Sequence, residues 1–331
     1  MGWLDEMKIP TFRDVLAAQT RISPYLKPTP LLSYAAINEL VGTVVYIKHE
    51  NCQPVGAFKV RGGINLISQL TNEEASRGVI TASTGNHGQS IAYASRIFGV
   101  KAMVVMPERS NPGKVAALKA LGAEIVFHGA TFDEAKIHCE QLAEEHGYRY
   151  VHSGDEPHLI SGVATETLEM LREEPSIETI IVPVGGGSGA AGTCIAAKSI
   201  NTEIEVIGVQ SEASPAAHDS WKERKLVERP NRTSVEGLAT GTAFELPQRI
   251  LRAHLDDFIL VSEEDIMRAT VWMIERAHTL AEGAGAAPLA AAYKIRGRLK
   301  DKTVGLICSG GNISLEKLRL ALDFVEKKPN Y

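Results

Sequence analysis

The sequence predicts an α/β fold built from two open α/β domains, and three observations predict it. Short β-branched runs alternate with amphipathic helical stretches through most of the chain, the pattern of a parallel sheet covered on both faces. Two separate regions each show a strand, helix and strand in succession. Glycine-rich turns follow the ends of several strands, where an open α/β sheet places its ligands.

The clearest region begins at Val79. Residues 79–83 read as a strand, 88–98 as a helix, 102–106 as a strand, 114–121 as a helix and 124–127 as a strand, which makes a βαβαβ unit. A second region begins at Ile180, with a strand over 180–184, a glycine loop, a helix over 190–199 and a strand over 205–209. Helical periodicity covers 263–281, a small-residue helix follows, and 303–308 is a strand that runs into Ser309, Gly310, Gly311 and Asn312. No repeat, low-complexity segment or long linker interrupts this order, so domain boundaries fall in loops near residues 72 and 151.

A length of 331 residues suits two domains, and 44% hydrophobic content gives each a core. The formal net charge is -5 with acids and bases interspersed, so no basic stripe is available for a nucleic-acid backbone. The first eight residues include Asp5, Glu6 and Lys8 and lack the apolar core of a secretory signal. Apolar stretches such as residues 284–293 fall well below the ~20 residues needed to span a bilayer. Cys52, Cys139, Cys194 and Cys308 are scattered, without a C-x-x-C pair or metal-ligand spacing. They read as buried free thiols in a reducing cytoplasm.

Three segments can carry chemistry. In Gly185, Gly186, Gly187, Ser188 and Gly189 a hydrophobic strand runs through glycines into a helix, so backbone N–H groups and a helix N-terminus converge where an anion can sit. Four glycines in five residues exceed what a tight turn requires. The same stretch contains G-x-G-x-x-G at Gly187, Gly189 and Gly192, with Glu212 at the offset of a ribose-binding acid. The motif alone leaves a single phosphate and a dinucleotide pyrophosphate equally open.

Lys59 lies between Phe58 and Val60 at the start of a mostly apolar helix, where burial disfavours its ammonium and leaves an amine able to form an imine. On spacing alone, a surface lysine at a loop–helix junction is the commoner explanation. The third segment, Ser83, Thr84, Gly85, Asn86 and His87, joins a strand to a helix. Its hydroxyls, amide and N–H groups can clasp a carboxylate, although the same residue types also cap helices. His87 shows no triad or metal pattern, so an ordinary packing or surface role is the commoner explanation for its side chain.

Taken in order, Ala57-Phe58-Lys59-Val60-Arg61-Gly62, Ser83 to Gln89, the glycine loop and Ser309 to Asn312 resemble the serine/threonine dehydratase and serine racemase family, pyridoxal-phosphate enzymes of fold type II with a tryptophan synthase β-like architecture. The likeness extends from about Thr11 to Ser314. It implies a large cofactor-binding domain of residues 1–72 and 152–331 and a small substrate-gating domain of 73–151. It also implies that Lys59 carries pyridoxal 5'-phosphate as an imine and takes the α-proton of the substrate. Phe58 is expected to pack beside the cofactor, Asn86 to bond its phenolic oxygen, and Gly185, Gly186, Gly187, Ser188 and Gly189 to hold its phosphate, which can assist the departing hydroxyl. Ser309 matches the residue facing the pyridine nitrogen. Gly237 and Glu282 match positions lining the ring's other edge.

The implied reaction removes water and then ammonia from threonine, serine or a bulkier β-hydroxy amino acid such as hydroxyaspartate. The substrate carboxylate is expected at Ser83, Thr84, Gly85, Asn86 and His87. Racemization of serine or aspartate is the alternative, because Thr84 stands where racemizing relatives place a serine hydroxyl and many threonine deaminases an alanine. A nicotinamide oxidoreductase is the more distant one.

The sequence also departs from the family pattern. Ser188 interrupts the usual four-glycine run, and Gly283 replaces a common proline after Glu282. Gln210 and Ala216 fall where metal-dependent relatives supply carboxylates, so no divalent cation is expected. The chain stops soon after the Ser309 motif, so feedback control by isoleucine through the C-terminal regulatory domain of biosynthetic threonine deaminases is not expected. A cytoplasmic homodimer is the expected assembly.

Overall fold

The computed structural model describes residues 7–110 and 112–328. Ten strands lie among them: β1 (Leu31–Ser33), β2 (Val44–His49), β3 (Val79–Ala82), β4 (Ala102–Met106), β5 (Glu124–Phe127), β6 (Arg149–Tyr150), β7 (Thr179–Pro183), β8 (Glu205–Ser211), β9 (Asp257–Val261) and β10 (Thr303–Cys308). They form two sheets. One has the order β1-β2-β10-β7-β8-β9 and the other β5-β4-β3-β6. Every pairing is parallel except β1 with β2.

Alternation along the strands explains why both faces of each sheet are covered. In β7, Ile180 and Val182 join one core cluster while Ile181 joins another, since successive side chains point to opposite faces. In β3, Val79 and Ile80 divide in the same way between two clusters of the smaller sheet. A strand buried on both faces must read as a continuous hydrophobic run, and each fully buried Ile or Val contributes roughly 1.5–3 kcal/mol.

The site is positioned by the register of three parallel strands. Cys308 of β10 pairs with His49 of β2, and Leu306 pairs with Ile181 of β7. The segments that leave their carboxyl ends therefore emerge side by side: Glu50 to Lys59, Ser309 to Asn312, and the glycine loop. Phe58 N–H donates to Ser309 O at 3.0 Å, and Ala57 bridges to Gly310. The helix Lys59–Ile67 then packs on the helices Asn86–Phe98 and Pro157–Val163. Gly63 permits that approach, because a Cβ there would collide with the backbone and hydroxyl of Ser90.

Several expectations shift at their edges. The helix expected over 263–281 ends at Ala277, because His278 adopts a left-handed conformation with φ of 51° and caps it. The helix expected from residue 190 begins at Ser188. Cys139, Cys194 and Cys308 are buried free thiols, but Cys52 is exposed. It is the last residue of a short 3-10 turn, Glu50–Cys52, that carries it outward.

Candidate active site

The amine of Lys59 is the centre of the site. Its Nζ donates to the Ser188 hydroxyl at 2.6 Å and to the Ser153 carbonyl at 3.3 Å, and lies 5.1 Å from the centroid of the Phe58 ring. Burial lowers its pKa from 10.5 to about 8, with Glu166 pulling weakly the other way. The lysine helix thus delivers its first residue onto the first turn of the helix Ser188–Ile200.

The glycine loop is a cradle shaped by what a side chain would strike. A Cβ on Gly185 would collide with the Gly237 carbonyl, and one on Gly186 with the Phe244 ring. Gly187 has φ of 90°, and a Cβ on Gly189 would meet Phe58 at 3.0 Å. With aromatic walls, a helix N-terminus and Ser188 closing one side, the loop fits a compact phosphate on a flat ring.

The strand-to-helix segment after β3 is ordered by Ser83, whose hydroxyl accepts from Gly85 N at 3.2 Å and Gly88 N at 2.9 Å. Thr84 and Gly85 are half-buried beside it. Asn86 faces the end of the large sheet: its Nδ2 donates to Glu282 Oε1 at 2.7 Å, and its Oδ1 accepts from Asn312 Nδ2 at 2.8 Å. One Asn86 N–H remains for another acceptor. The His87 ring points away from this segment and lies 2.9 Å from the Thr81 hydroxyl. Burial holds its pKa down at about 3. It is therefore a neutral packing group, and only its backbone belongs to the loop.

Ser309 is buried at the end of β10. Glu282 is held 3.7 Å from the position of a Gly237 Cβ, and burial pushes its carboxyl pKa up. Lys59, Asn86, Glu282, Ser309 and the glycine loop thus converge on one crevice at the carboxyl ends of the parallel strands. Glu212 instead stands at the surface, 3.3 Å from Lys294. Gln210 uses its carbonyl to accept from His218 N at 3.0 Å.

Sequence reading missed other groups in this crevice. Ser153 contributes a carbonyl and Phe244 a wall, while Lys114, Glu236 and Lys317 form an ion cluster at its rim. Glu236 adjoins the singled-out Gly237, a local signal that pointed to it. No local signal marked the others. Beneath the lysine helix, Arg61 donates to Glu50 at 2.7 and 2.8 Å and to Glu169 at 2.7 Å twice.

A half-buried amine set against a glycine-walled anion cradle, on an open parallel sheet, defines a class: enzymes that hold a phosphorylated aldehyde on a lysine. Residues 22–310 match the family described as pyridoxal-phosphate dependent enzyme, and the chain belongs to that family. It is 37% identical over 320 residues to the catabolic L-threonine dehydratase TdcB of Staphylococcus aureus, covering 95% of this chain and 92% of that one. The processed form of threonine deaminase isoform 2 from Solanum lycopersicum superposes with a TM-score of 0.90 at 32% identity, covering 95% of this chain and 92% of that one. Serine racemase from Dictyostelium discoideum superposes with a TM-score of 0.87 at 37% identity, covering 92% of this chain and 99% of that one. The fold is fold type II and the cofactor is pyridoxal 5'-phosphate. Family membership removes the dinucleotide reading of Gly187, Gly189 and Gly192. Among the described residues, no helix is long and apolar enough to cross a membrane.

Proposed function

We propose that this protein is an ammonia-lyase that converts a small β-hydroxy amino acid, threonine or serine, into a 2-keto acid and ammonia. The names of its relatives support the activity, and the single observation that carries the mechanism is the Lys59 amine held at Ser188 with a pKa near 8. An amine with that pKa exists in both forms near neutrality, so it can accept a proton and give it up. Bound pyridoxal phosphate supplies the electron sink that makes the α-proton of an attached amino acid removable.

This chain's residues supply the rest. The N–H groups and hydroxyls of Ser83 to His87 hold the substrate carboxylate and so place the α-carbon toward Lys59. Gly185 to Gly189 would anchor the phosphate, Asn86 would offer its free N–H to the ring's phenolic oxygen, and Phe58 would flank the ring. Ser309 would meet the pyridine nitrogen with a neutral hydroxyl, which would not enforce protonation there. Weak electron withdrawal suits prompt loss of a β-substituent. In balance, the α-hydrogen and the β-hydroxyl leave as water, and the freed enamine hydrolyses to keto acid and ammonia. Residues 73–151 act as the gating unit, since they carry the carboxylate loop. A cytoplasmic homodimer completes the proposal.

Racemization is the second reading, favoured by the half-buried Thr84 hydroxyl on the loop and by the likeness to serine racemases. One panel tests both. Purified protein is incubated with L- and D-serine, threonine and 3-hydroxyaspartate while keto acid, ammonia and enantiomer are followed. The lyase reading expects stoichiometric keto acid and ammonia from an L-substrate. Growth of the opposite enantiomer without ammonia would replace it with a racemase.

A further inference from the structure

The rim of the crevice carries a charge cluster that the reaction does not use. Glu236 pairs with Lys114 on the helix Pro112–Ala120 and with Lys317, at 2.8 Å, on the helix Leu315–Lys327. Two units of the fold thus share one carboxylate. The pair also touches the substrate loop: a Cβ on Gly85 would lie 3.7 Å from Lys114 Nζ and 3.9 Å from Glu236 Oε2. Lys114, Glu236, Gly237, Glu282, Asn312 and Lys317 line a common cleft, so the cluster borders the cofactor residues as well.

We propose that Glu236 sets the substrate class of this site: by occupying Lys114 and Lys317 it excludes amino acids that carry a second carboxylate. The inference rests on the proposed β-elimination and names its substrate class. The reasoning is charge complementarity. Two lysines face two carboxyls, Glu236 and Glu282, at this rim. Glu263, the other acid in the cleft, is engaged by Ser211, Thr233 and Ser234. A neutral side chain leaves that balance intact. A β-carboxylate beside the loop would add an unpaired negative charge in a partly desolvated place, which costs binding. Without Glu236 the same lysines would be free to receive it.

The test is Glu236→Gln, which keeps the shape and removes the charge. The ratio of kcat/KM for 3-hydroxyaspartate over serine should rise at least about tenfold, and Lys114→Met added to it should reverse the gain. A second readout needs no turnover: calorimetric binding of succinate against butyrate to the cofactor-loaded protein should shift toward succinate by about tenfold in the variant. If Glu236→Gln is poorly folded, Lys114→Met alone decides, because it should lower succinate binding relative to butyrate. Ratios within about twofold of the unaltered protein in both assays overturn the inference. Failure of the unaltered enzyme to release ammonia from serine or threonine would instead overturn the lyase reading, and the succinate comparison would still judge Glu236.

Discussion

Lys59 Nζ donates to Ser188 Oγ at 2.6 Å, joining residues from two separate segments at the point where amine and phosphate chemistry must meet. Burial disfavours the ammonium, so the amine is half neutral at about pH 8 instead of 10.5. Below that pH the protonated, non-nucleophilic form dominates. Covalent loading of pyridoxal phosphate onto the apoprotein should therefore accelerate as pH rises and level off just above 8. Stopped-flow absorbance checks this, and a rate still climbing past pH 10 would contradict it.

Gly185 tests the cradle. A methyl there would strike the Gly237 carbonyl, which is backbone and cannot swing aside. Gly185→Ala should weaken cofactor affinity at least about tenfold, the scale of one lost or misplaced hydrogen bond to a charged group. Equilibrium dialysis with pyridoxal phosphate measures it. An affinity within about twofold of the unaltered protein would argue against a phosphate at this loop.

The chemistry-bearing segments were legible because each is contiguous. Lys59 with its apolar neighbours, the glycine loop and Ser83 to His87 all lie next to one another in the chain. Strands β3, β4, β5, β7, β8 and β10 were equally visible as hydrophobic runs. Strand β2 was hidden because it ends in Lys48 and His49, polar residues that are nonetheless buried. Lys48 is tolerated there by Glu169 at 2.9 Å, a partner no local pattern reveals. Likewise the pairing of Lys114, Glu236 and Lys317, and the Phe244 wall against Gly186, exist only after folding brings distant segments together. The helix end at Ala277 escaped notice because its left-handed cap is a histidine and not a glycine.

Arg61 and Glu166 should respond unequally to mutation. Arg61 is buried between Glu50 and Glu169, so Arg61→Met strands the buried Glu50 carboxylate and should cost about 3–5 kcal/mol. Glu166 is buried with neither oxygen hydrogen-bonded, and burial pushes its pKa well up, which disfavours its charged form. Glu166→Gln should change stability by less than about 1 kcal/mol. Urea unfolding of both variants decides, and equal losses would contradict the assignment.

His87 and His152 predict acid sensitivity. Burial lowers both pKa values from 6.5 to about 3, so the unfolded chain takes up protons between those limits while the folded chain does not. Stability is fully present above pH 6.5 and is lost as pH falls toward 3, at about 1.4 kcal/mol per pH unit per histidine. His152 accepts from Asp155 N at 2.8 Å, a bond the Asn carbonyl can imitate. His152→Asn should flatten the loss measured by urea unfolding between pH 6 and 5, and an unchanged slope would refute the contribution.

The most direct measurement reduces the cofactor-loaded protein with borohydride and maps the modified peptide by mass spectrometry. The phosphopyridoxyl group should sit on Lys59, and Lys59→Ala should abolish both labelling and turnover. Label on another lysine, or ammonia release that survives Lys59→Ala, would contradict the account at its centre.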